Sequence, residues 1–232
     1  MGRAIKRARL RGDAVECPCC ERTWSAFAPD HNRPDALCPY CGSHERHRGL
    51  WLYLRDRIHL GSRRLKLLHF APEFALRGRM QSLEAIDYVT ADLDPAGVDV
   101  QVDITAMPFE DGAFDAILCS HVLEHVEDDR AAMSELARVL HPDGWLLVLV
   151  PLDVDREETY EDPAVQSGED RARKFLQHDH VRLYAPDIAD RLAVAGLAVR
   201  PVRLAAELPE GAVARYGLLP EETVFHCTPP SS

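Results

Sequence analysis

Short apolar runs alternate with segments of helical periodicity from residue 65 onward. The apolar runs predict strands at residues 65–70, 114–119, 145–150, 197–204 and 222–227, with a further strand ending at Asp92 and a short extended piece at 98–104. Helical spacing covers residues 129–140 and 185–195, and a helix is expected to begin near Pro72 and Glu73. Alternating strands and helices are typical of βαβ units, so we predict an α/β domain built on a mostly parallel sheet.

Two places interrupt this alternation. The stretch between Asp92 and Val98 is too short for a crossover connection, which usually needs about a dozen residues. The third strand is therefore expected to be short, displaced or absent. Residues 152–183 are polar and acid-rich, and we interpret them as an insertion over the carboxyl edge of the sheet, where open α/β sheets bind their ligands.

A cluster of cysteines precedes the α/β pattern. Two Cys-x-x-Cys pairs, separated by 17 residues, have the spacing of a four-cysteine zinc site; the pairs are Cys17 with Cys20 and Cys38 with Cys41. Four thiolates leave no open position for a catalytic water, so we expect a structural Zn²⁺ in a small zinc ribbon over residues 1–43. Cys19 is surplus to this set, and His31 and His44 are weaker ligand candidates. The alternative is a group of reduced cysteines in a core.

Residues 44–60 predict a helix between the ribbon and the α/β domain. Leu50, Leu54 and Ile58 fall on one face at helical spacing, with Trp51 beside them. We expect this helix to pack the ribbon onto the domain that follows. The predicted organisation is therefore a ribbon at 1–43, a connecting segment at 44–64 and an α/β domain at 65–232.

Composition and charge narrow the functional classes. The chain has 232 residues, 46% of them hydrophobic, and a formal net charge of −11, which disfavours nucleic acid as a partner. A basic start is interpreted as a solvated terminus; it contains Arg3, Lys6, Arg7, Arg9 and Arg11. No apolar stretch is long enough to span a membrane and no signal peptide is apparent, so we expect a cytoplasmic protein without a membrane partner.

The central part of the domain carries a family resemblance. Residues 103–115, followed by the segments HVLEHVEDD and RVLHPDGWLLVLVP, closely resemble class I S-adenosylmethionine-dependent methyltransferases of the type 11-like group. The segments ERHR, LHFAPE and HDHVRLY add similarity to a bacterial subfamily with an N-terminal zinc ribbon. The resemblance implies a Rossmann-like, doubly wound sheet with an antiparallel last strand, and S-adenosylmethionine as cofactor.

The resemblance also implies roles for individual residues. Asp92 corresponds to the acid that binds the ribose hydroxyls, and Asp103 to the acid near the adenine amino group, with Ile104 beside it. Residues at the end of the fourth strand would lie under the methionine part of the cofactor. The implied cofactor-binding set is Phe70, Ala71, Glu73, Asp92, Leu93, Asp103, Ile104, Ser120 and His121.

The first loop departs from the family pattern because residues 70–73 contain no glycine. A backbone that needs positive φ would resist this change, so we expect the loop to follow a different path. S-adenosylmethionine carries an ammonium group and no phosphate, and we hypothesise that Glu73 pairs with that amine.

Methyl transfer requires alignment of the acceptor and, for some nucleophiles, a base. The insertion supplies the catalytic candidates: His180, His178, Tyr160 and Arg182. Histidine can act as a base near neutral pH, and arginine can bind a carboxylate with two hydrogen bonds. The alternative is that the segment HDHVRLY fastens the insertion to the sheet. Glu124 and His125, after the fourth strand, are expected to have local structural roles.

The sequence therefore predicts a methyltransferase that acts on an unidentified acceptor, a small molecule in the first place and a protein in the second. One rival hypothesis keeps the cofactor but changes the chemistry to cyclisation or alkyl transfer, because the first loop is altered. The other rival is an adaptor protein that has lost cofactor binding, against which Asp92 and Asp103 argue.

Overall fold

The computed structural model describes residues 9–31 and 33–230. These residues divide into two compact units. The ribbon unit comprises the described residues up to 64 together with 73–86 and 202–224, and the sheet unit comprises 65–72, 87–201 and the described residues from 225 onward. This division differs from the predicted organisation, which assigned everything after residue 64 to one domain.

The sheet unit contains most of a seven-stranded sheet. The strands of this sheet are β5 (Leu65–Phe70), β6 (Ile86–Asp92), β7 (Val100–Gln101), β8 (Phe114–Ser120), β9 (Leu140–Leu149), β12 (Ala198–Arg203) and β13 (Thr223–Thr228). Their order across the sheet is β12-β13-β9-β8-β5-β6-β7. The strand β8 runs parallel to both β5 and β9, whereas β13 is antiparallel to β9. The predicted fold class, a doubly wound and mostly parallel sheet with an antiparallel last strand, is confirmed.

The third strand is short, as the narrow gap after Asp92 predicts. The strand β7 has two residues and pairs with the carboxyl end of β6, where Ala91 lies opposite Val100. A strand this short needs no long crossover, because the chain does not have to return along the length of the sheet. The turn is closed by Thr90 and Asp99, whose backbone N–H groups each donate to the side chain of the other at 2.9 Å.

The strand β9 begins earlier than the apolar run predicts. Helix α3 (Asp129–Val139) ends where β9 starts, and the register with β8 shifts over residues 141–144. At this bulge a Cβ on Gly144 would lie 2.8 Å from the carbonyl oxygen of Asp115, so the close approach of the two strands requires glycine.

The insertion contains regular structure of its own. A two-stranded antiparallel sheet joins β10 (Tyr160–Glu161) to β11 (Arg182–Leu183), and helix α4 (Gly168–Phe175) lies between them in the chain. The predicted helix at 185–195 is the shorter α5 (Ile188–Val194), followed by Gly196 with φ +92°.

The part of the ribbon unit that the structure describes includes two small hairpins, three α-helices and a 3₁₀ helix at Leu204–Glu207. The hairpins pair β1 (Val15–Cys17) with β2 (Arg22–Trp24) and β3 (Ala28–Asp30) with β4 (Arg33–Leu37). The α-helices are α1 (Glu45–Asp56), α2 (Phe74–Gln81) and α6 (Ala212–Tyr216). The predicted helix at 44–60 is thus confirmed in its main part, but Ile58 lies beyond its end.

Among the described residues of the ribbon unit, Arg48 of α1 is the largest fully buried side chain. Its guanidinium donates hydrogen bonds to four carbonyl oxygens, those of Ala36 at 2.9 Å, Ser43 at 2.8 Å, Tyr216 at 2.7 Å and Gly217 at 2.6 Å. Burial lowers the pKa of Arg48. One side chain therefore joins β4, the turn before α1 and the end of α6.

No helix among the described residues has the length and apolar character needed to cross a membrane. The predicted basic terminus falls partly outside the described residues, since Arg3, Lys6 and Arg7 precede residue 9.

Candidate functional sites

The four predicted zinc ligands lie together in the ribbon unit. Their sulfur atoms are all within 4.8 Å of one another, with Sγ–Sγ distances of 3.6 Å for both Cys17–Cys41 and Cys20–Cys38. A tetrahedral zinc site with Zn–S bonds of about 2.3 Å separates its sulfurs by about 3.8 Å, so this arrangement fits the ion. A disulfide needs about 2.05 Å, and all four cysteines are free.

Two short turns position these thiols. The N–H of Glu21 donates to the carbonyl of Cys17 at 2.7 Å, and the N–H of Gly42 donates to the carbonyl of Cys38 at 3.0 Å. Gly42 has φ +73°, the backbone conformation that glycine adopts most easily. Each pair is therefore held on a tight turn that turns both thiols towards one point.

The other ribbon candidates lie apart from this set. Cys19 is buried and its Sγ donates to the carbonyl of His47 at 3.6 Å. The side chain of His31 is 92% exposed, and Nδ1 of His44 lies 2.9 Å from Arg33.

Hydrogen bonding with Cys17 raises the pKa of Cys20 and lowers that of Cys41. Four adjacent thiolates would repel one another strongly, so complete ionisation requires a bound cation.

All predicted cofactor residues except Glu73 lie at or just after the carboxyl ends of strands in the sheet unit. The first loop passes through left-handed backbone at Ala71, with φ +45°, and its N–H donates to the carbonyl of Ala91 at 2.9 Å. Alanine thus takes a conformation that glycine adopts at lower cost. Phe70, the residue before it, is buried in the core.

Asp92 ends β6 with a partly exposed side chain, and its Oδ1 accepts the N–H of Asp94 at 3.1 Å. Leu93 beside it is 68% exposed. Asp103 follows β7 and is exposed; its Oδ1 accepts the N–H of Thr105 at 2.8 Å, and this bond lowers the pKa of Asp103. Ile104 is buried. Each carboxylate is thus oriented by a local turn and remains in contact with solvent.

The end of β8 presents a second polar group. Ser120 is buried and pairs with Leu149 of β9, and His121 has φ +56°. Nδ1 of His121 lies 3.2 Å from Oε1 of Glu124, which is itself 1% exposed. Positive φ in a non-glycine residue is uncommon and often marks functional backbone.

Glu73 belongs to the ribbon unit, where it precedes the first turn of α2. Its Oε1 lies 3.6 Å from Nε2 of His47. The hypothesis that Glu73 pairs with the cofactor amine stays a prediction.

Arg182 has a fastening role in the structure. It is buried, its Nε donates to Oε1 of Glu161 at 2.6 Å, and its terminal nitrogens donate to the carbonyls of Leu123, Val126 and Glu127. These contacts tie β11 to the loop after β8. For Arg182 the geometry favours the structural alternative over binding of a substrate carboxylate.

A charged network that the sequence did not reveal surrounds this contact. Oδ2 of the buried Asp129 accepts the hydroxyl of Tyr184 at 2.8 Å and lies 3.1 Å from Arg191. Burial raises the pKa of Tyr184. Burial opposes ionisation of Glu161, but hydrogen bonds from Arg191 and Arg182 outweigh it and lower the pKa of Glu161. The network joins three separate parts of the chain, around residues 129, 161 and 182–191, and the segment HDHVRLY links only Arg182 and Tyr184.

The remaining catalytic candidates occupy different environments. The side chain of His178 is 76% exposed. His180 is buried, its Nδ1 donates to the carbonyl of Phe175 at 2.8 Å, and burial lowers its pKa. Tyr160 packs on the ring of Phe175 with centroids 5.5 Å apart. Among the three, only His180 is held in a fixed and buried position.

Part of the chain is similar in sequence to known proteins. Residues 70–148 match a family model described as a methyltransferase domain. The demethylmenaquinone methyltransferase of Mycolicibacterium gilvum is 48% identical over 46 residues, which cover 20% of this chain and 20% of that protein. The chain thus matches about a fifth of the length of this curated relative.

Solved structures share the fold over most of the chain. The cyclase SpnF is 16% identical, with a TM-score of 0.56, over 89% of this chain and 87% of its own. The 1,6-didemethyltoxoflavin-N1-methyltransferase of Burkholderia thailandensis, solved with 1,6-didemethyltoxoflavin and S-adenosylhomocysteine, is also 16% identical. Its TM-score is 0.52, over 79% of this chain and 76% of its own. At this identity the likeness establishes the Rossmann-like fold.

Proposed function

We propose that this protein is an S-adenosylmethionine-dependent methyltransferase. The observation that carries the proposal is that the segment matching a methyltransferase domain, residues 70–148, includes both sheet-edge carboxylates, Asp92 and Asp103. Ligands of open α/β sheets bind at the carboxyl ends of the strands, where these two side chains lie.

The residues present fit the cofactor. A carboxylate accepts two hydrogen bonds from neighbouring hydroxyls, so Asp92 would hold the ribose and Asp103 would lie near the adenine amino group. Both side chains have solvent contact. Ser120 and His121, at the end of β8, would lie beside the methionine part.

When bound, the cofactor supplies an electrophilic methyl group, and the chain supplies alignment and proton transfer. His180 is the strongest candidate for proton transfer. It is buried, and the carbonyl of Phe175 fixes the proton on Nδ1, which leaves Nε2 free to accept one. Tyr160 and the exposed His178 are further candidates for contact with the acceptor.

For the acceptor we propose a small molecule, with a protein as the second choice. The net charge of −11 opposes binding of nucleic acid. The Burkholderia thailandensis neighbour was solved with a small molecule bound, which supports the same class here.

For the ribbon unit we propose a structural Zn²⁺ held by Cys17, Cys20, Cys38 and Cys41. The sulfur distances and the two tight turns support this assignment. Because all four positions of the ion would be filled, it would stabilise the unit and take no part in catalysis.

The test is calorimetric titration of the folded protein with S-adenosylmethionine. We expect saturable binding, and we expect Asp92→Asn to weaken it by about tenfold to hundredfold, since a hydrogen bond to a charged group contributes about 1.5–3 kcal/mol. The matched control is Asp87→Asn, an exposed carboxylate near the other end of β6, which should bind as the wild type does. Absence of binding to the folded protein would favour the adaptor hypothesis.

Product analysis separates the chemistries. Methyl transfer leaves S-adenosylhomocysteine, whereas cyclisation of the aminobutyl arm leaves methylthioadenosine. The fold is also shared with a protein named as a [4+2]-cyclase, whose cyclisation is of another kind. Folds host many chemistries, so this likeness alone does not outweigh the match to a methyltransferase domain.

A further inference from the structure

Three side chains of the sheet unit converge outside the proposed cofactor site. Glu124 and His125 lie in a one-turn 3₁₀ helix after β8, and His180 precedes β11 in the insertion. One ligand atom from each lies within 4.8 Å of the others. We name these three residues the His–Glu cluster.

Glu124 is the unusual member because it is buried without the partners that a carboxylate needs. Its side chain is 1% exposed, and within the described part of the chain neither of its oxygens has a hydrogen-bond partner. Nδ1 of His121 approaches to 3.2 Å, but without the geometry of a hydrogen bond. A buried charge that lacks hydrogen bonds is costly unless it is neutralised or coordinates a cation.

The two histidines are oriented as metal ligands usually are. Nδ1 of His180 donates to the carbonyl of Phe175 at 2.8 Å, and Nδ1 of His125 lies 3.3 Å from Oδ2 of Asp179. An oxygen at Nδ1 directs the ring proton there and leaves the lone pair on Nε2, the arrangement found around metal-bound imidazoles. The rings lie 4.7 Å apart and are nearly perpendicular.

We propose that Glu124, His125 and His180 bind a divalent transition-metal ion. Two imidazoles and one carboxylate form a ligand set that suits Zn²⁺, Mn²⁺ or Fe²⁺. Ligand bonds of about 2.1 Å hold neighbouring ligand atoms about 3.0–3.5 Å apart. The three ligand atoms now lie within 4.8 Å of one another, so rotation of the side chains would bring them to the required distance. The side chain of His125 is 31% exposed, which gives an ion access from solvent.

The site has a functional consequence that rests on the proposed methyl transfer. Three protein ligands leave coordination positions open, and an acceptor oxygen bound there would lose its proton more readily. Since Nε2 of His180 would then be a metal ligand, the ion would replace the proton transfer proposed above for this histidine. The acceptor would then be a hydroxyl compound.

The test uses Mn²⁺ alone, added to protein that carries one Zn²⁺ per chain, held by its cysteines. This hard ion prefers oxygen and imidazole over thiolate, so it reports on the His–Glu cluster and not on the ribbon. Electron paramagnetic resonance of free Mn²⁺ should show one ion bound per chain. Glu124→Gln should weaken binding at least tenfold, and Glu127→Gln, a nearby glutamate whose side chain is 79% exposed, should leave it unchanged.

A second variant covers the case in which Glu124→Gln does not fold. His125→Asn changes a partly exposed side chain and should also weaken Mn²⁺ binding, with His141→Asn, a partly exposed histidine in β9, as its control. Wild-type protein that binds no Mn²⁺, or folded variants that bind it as the wild type does, would overturn the proposal. Because S-adenosylmethionine is absent from this assay, either result is independent of the proposed methyl transfer.

Discussion

Replacement of Arg48 by lysine should destabilise the ribbon unit strongly although the charge is kept. The guanidinium reaches four carbonyl oxygens from three nitrogens, and it is fully buried. A lysine ammonium concentrates its donors at one point, so it cannot contact both the carbonyls of Ala36 and Ser43 and those of Tyr216 and Gly217. At least two buried carbonyls lose their partner, at about 1–2 kcal/mol each, which gives a loss of about 2–4 kcal/mol.

The assay is urea unfolding followed by release of zinc to a coloured chelator, because this signal arises in the ribbon unit. With a slope of about 2 kcal/mol per molar urea, the expected loss lowers the midpoint by about 1–2 M. Arg55→Lys is the matched control on the same helix. Its side chain is 44% exposed and paired with the adjacent Asp56, so its effect should stay within about 0.5 kcal/mol. A midpoint for Arg48→Lys equal to that of the control would refute the reasoning.

Two further predictions concern the zinc site and the charged network. Cys20→Ser should abolish stoichiometric zinc in the purified protein, measured by elemental mass spectrometry, whereas the adjacent Cys19→Ser should retain it. Loss of zinc in both variants, or in neither, would contradict the four-cysteine assignment. Asp129→Asn should cost about 2–4 kcal/mol of unfolding free energy, because it removes the buried charge that Arg191 contacts. Asp128→Asn, at the cap of α3, should cost less than about 0.5 kcal/mol because asparagine caps equally well, and equal effects at the two positions would count against the network.

The sequence predicts the fold well where a segment is buried on both faces. The strand β5 coincides with the predicted run at 65–70, since a parallel strand covered on both sides appears as continuous apolar residues. The short β7 follows from chain length alone, because no helix fits before it. The early start of β9 could not be predicted, because it depends on the approach of Gly144 to the neighbouring strand.

Features that depend on contacts between distant segments could not be predicted from the sequence. The grouping of residues 202–224 with the ribbon involves hydrogen bonds from Arg48 to Tyr216 and Gly217. The local periodicity of the sequence does not predict contacts between residues so far apart in the chain. The cysteines were predictable because their spacing is itself the signal of a tetrahedral site. The His–Glu cluster was not, since His180 lies far along the chain from Glu124 and the sequence favoured a local structural role for the latter.

Arg48 and Glu124 show why burial alone does not separate structural from functional charges. Both side chains are almost completely removed from solvent. Arg48 has a carbonyl acceptor for each of its nitrogens, so its environment is complete without any further group. The oxygens of Glu124 have no hydrogen-bond donor among the described residues, while one ring nitrogen from each of two imidazoles lies within 4.8 Å of a Glu124 oxygen. When a buried charge has only protein atoms as partners, its removal is expected to change stability. When a buried charge lacks such partners, a bound ligand is expected beside it.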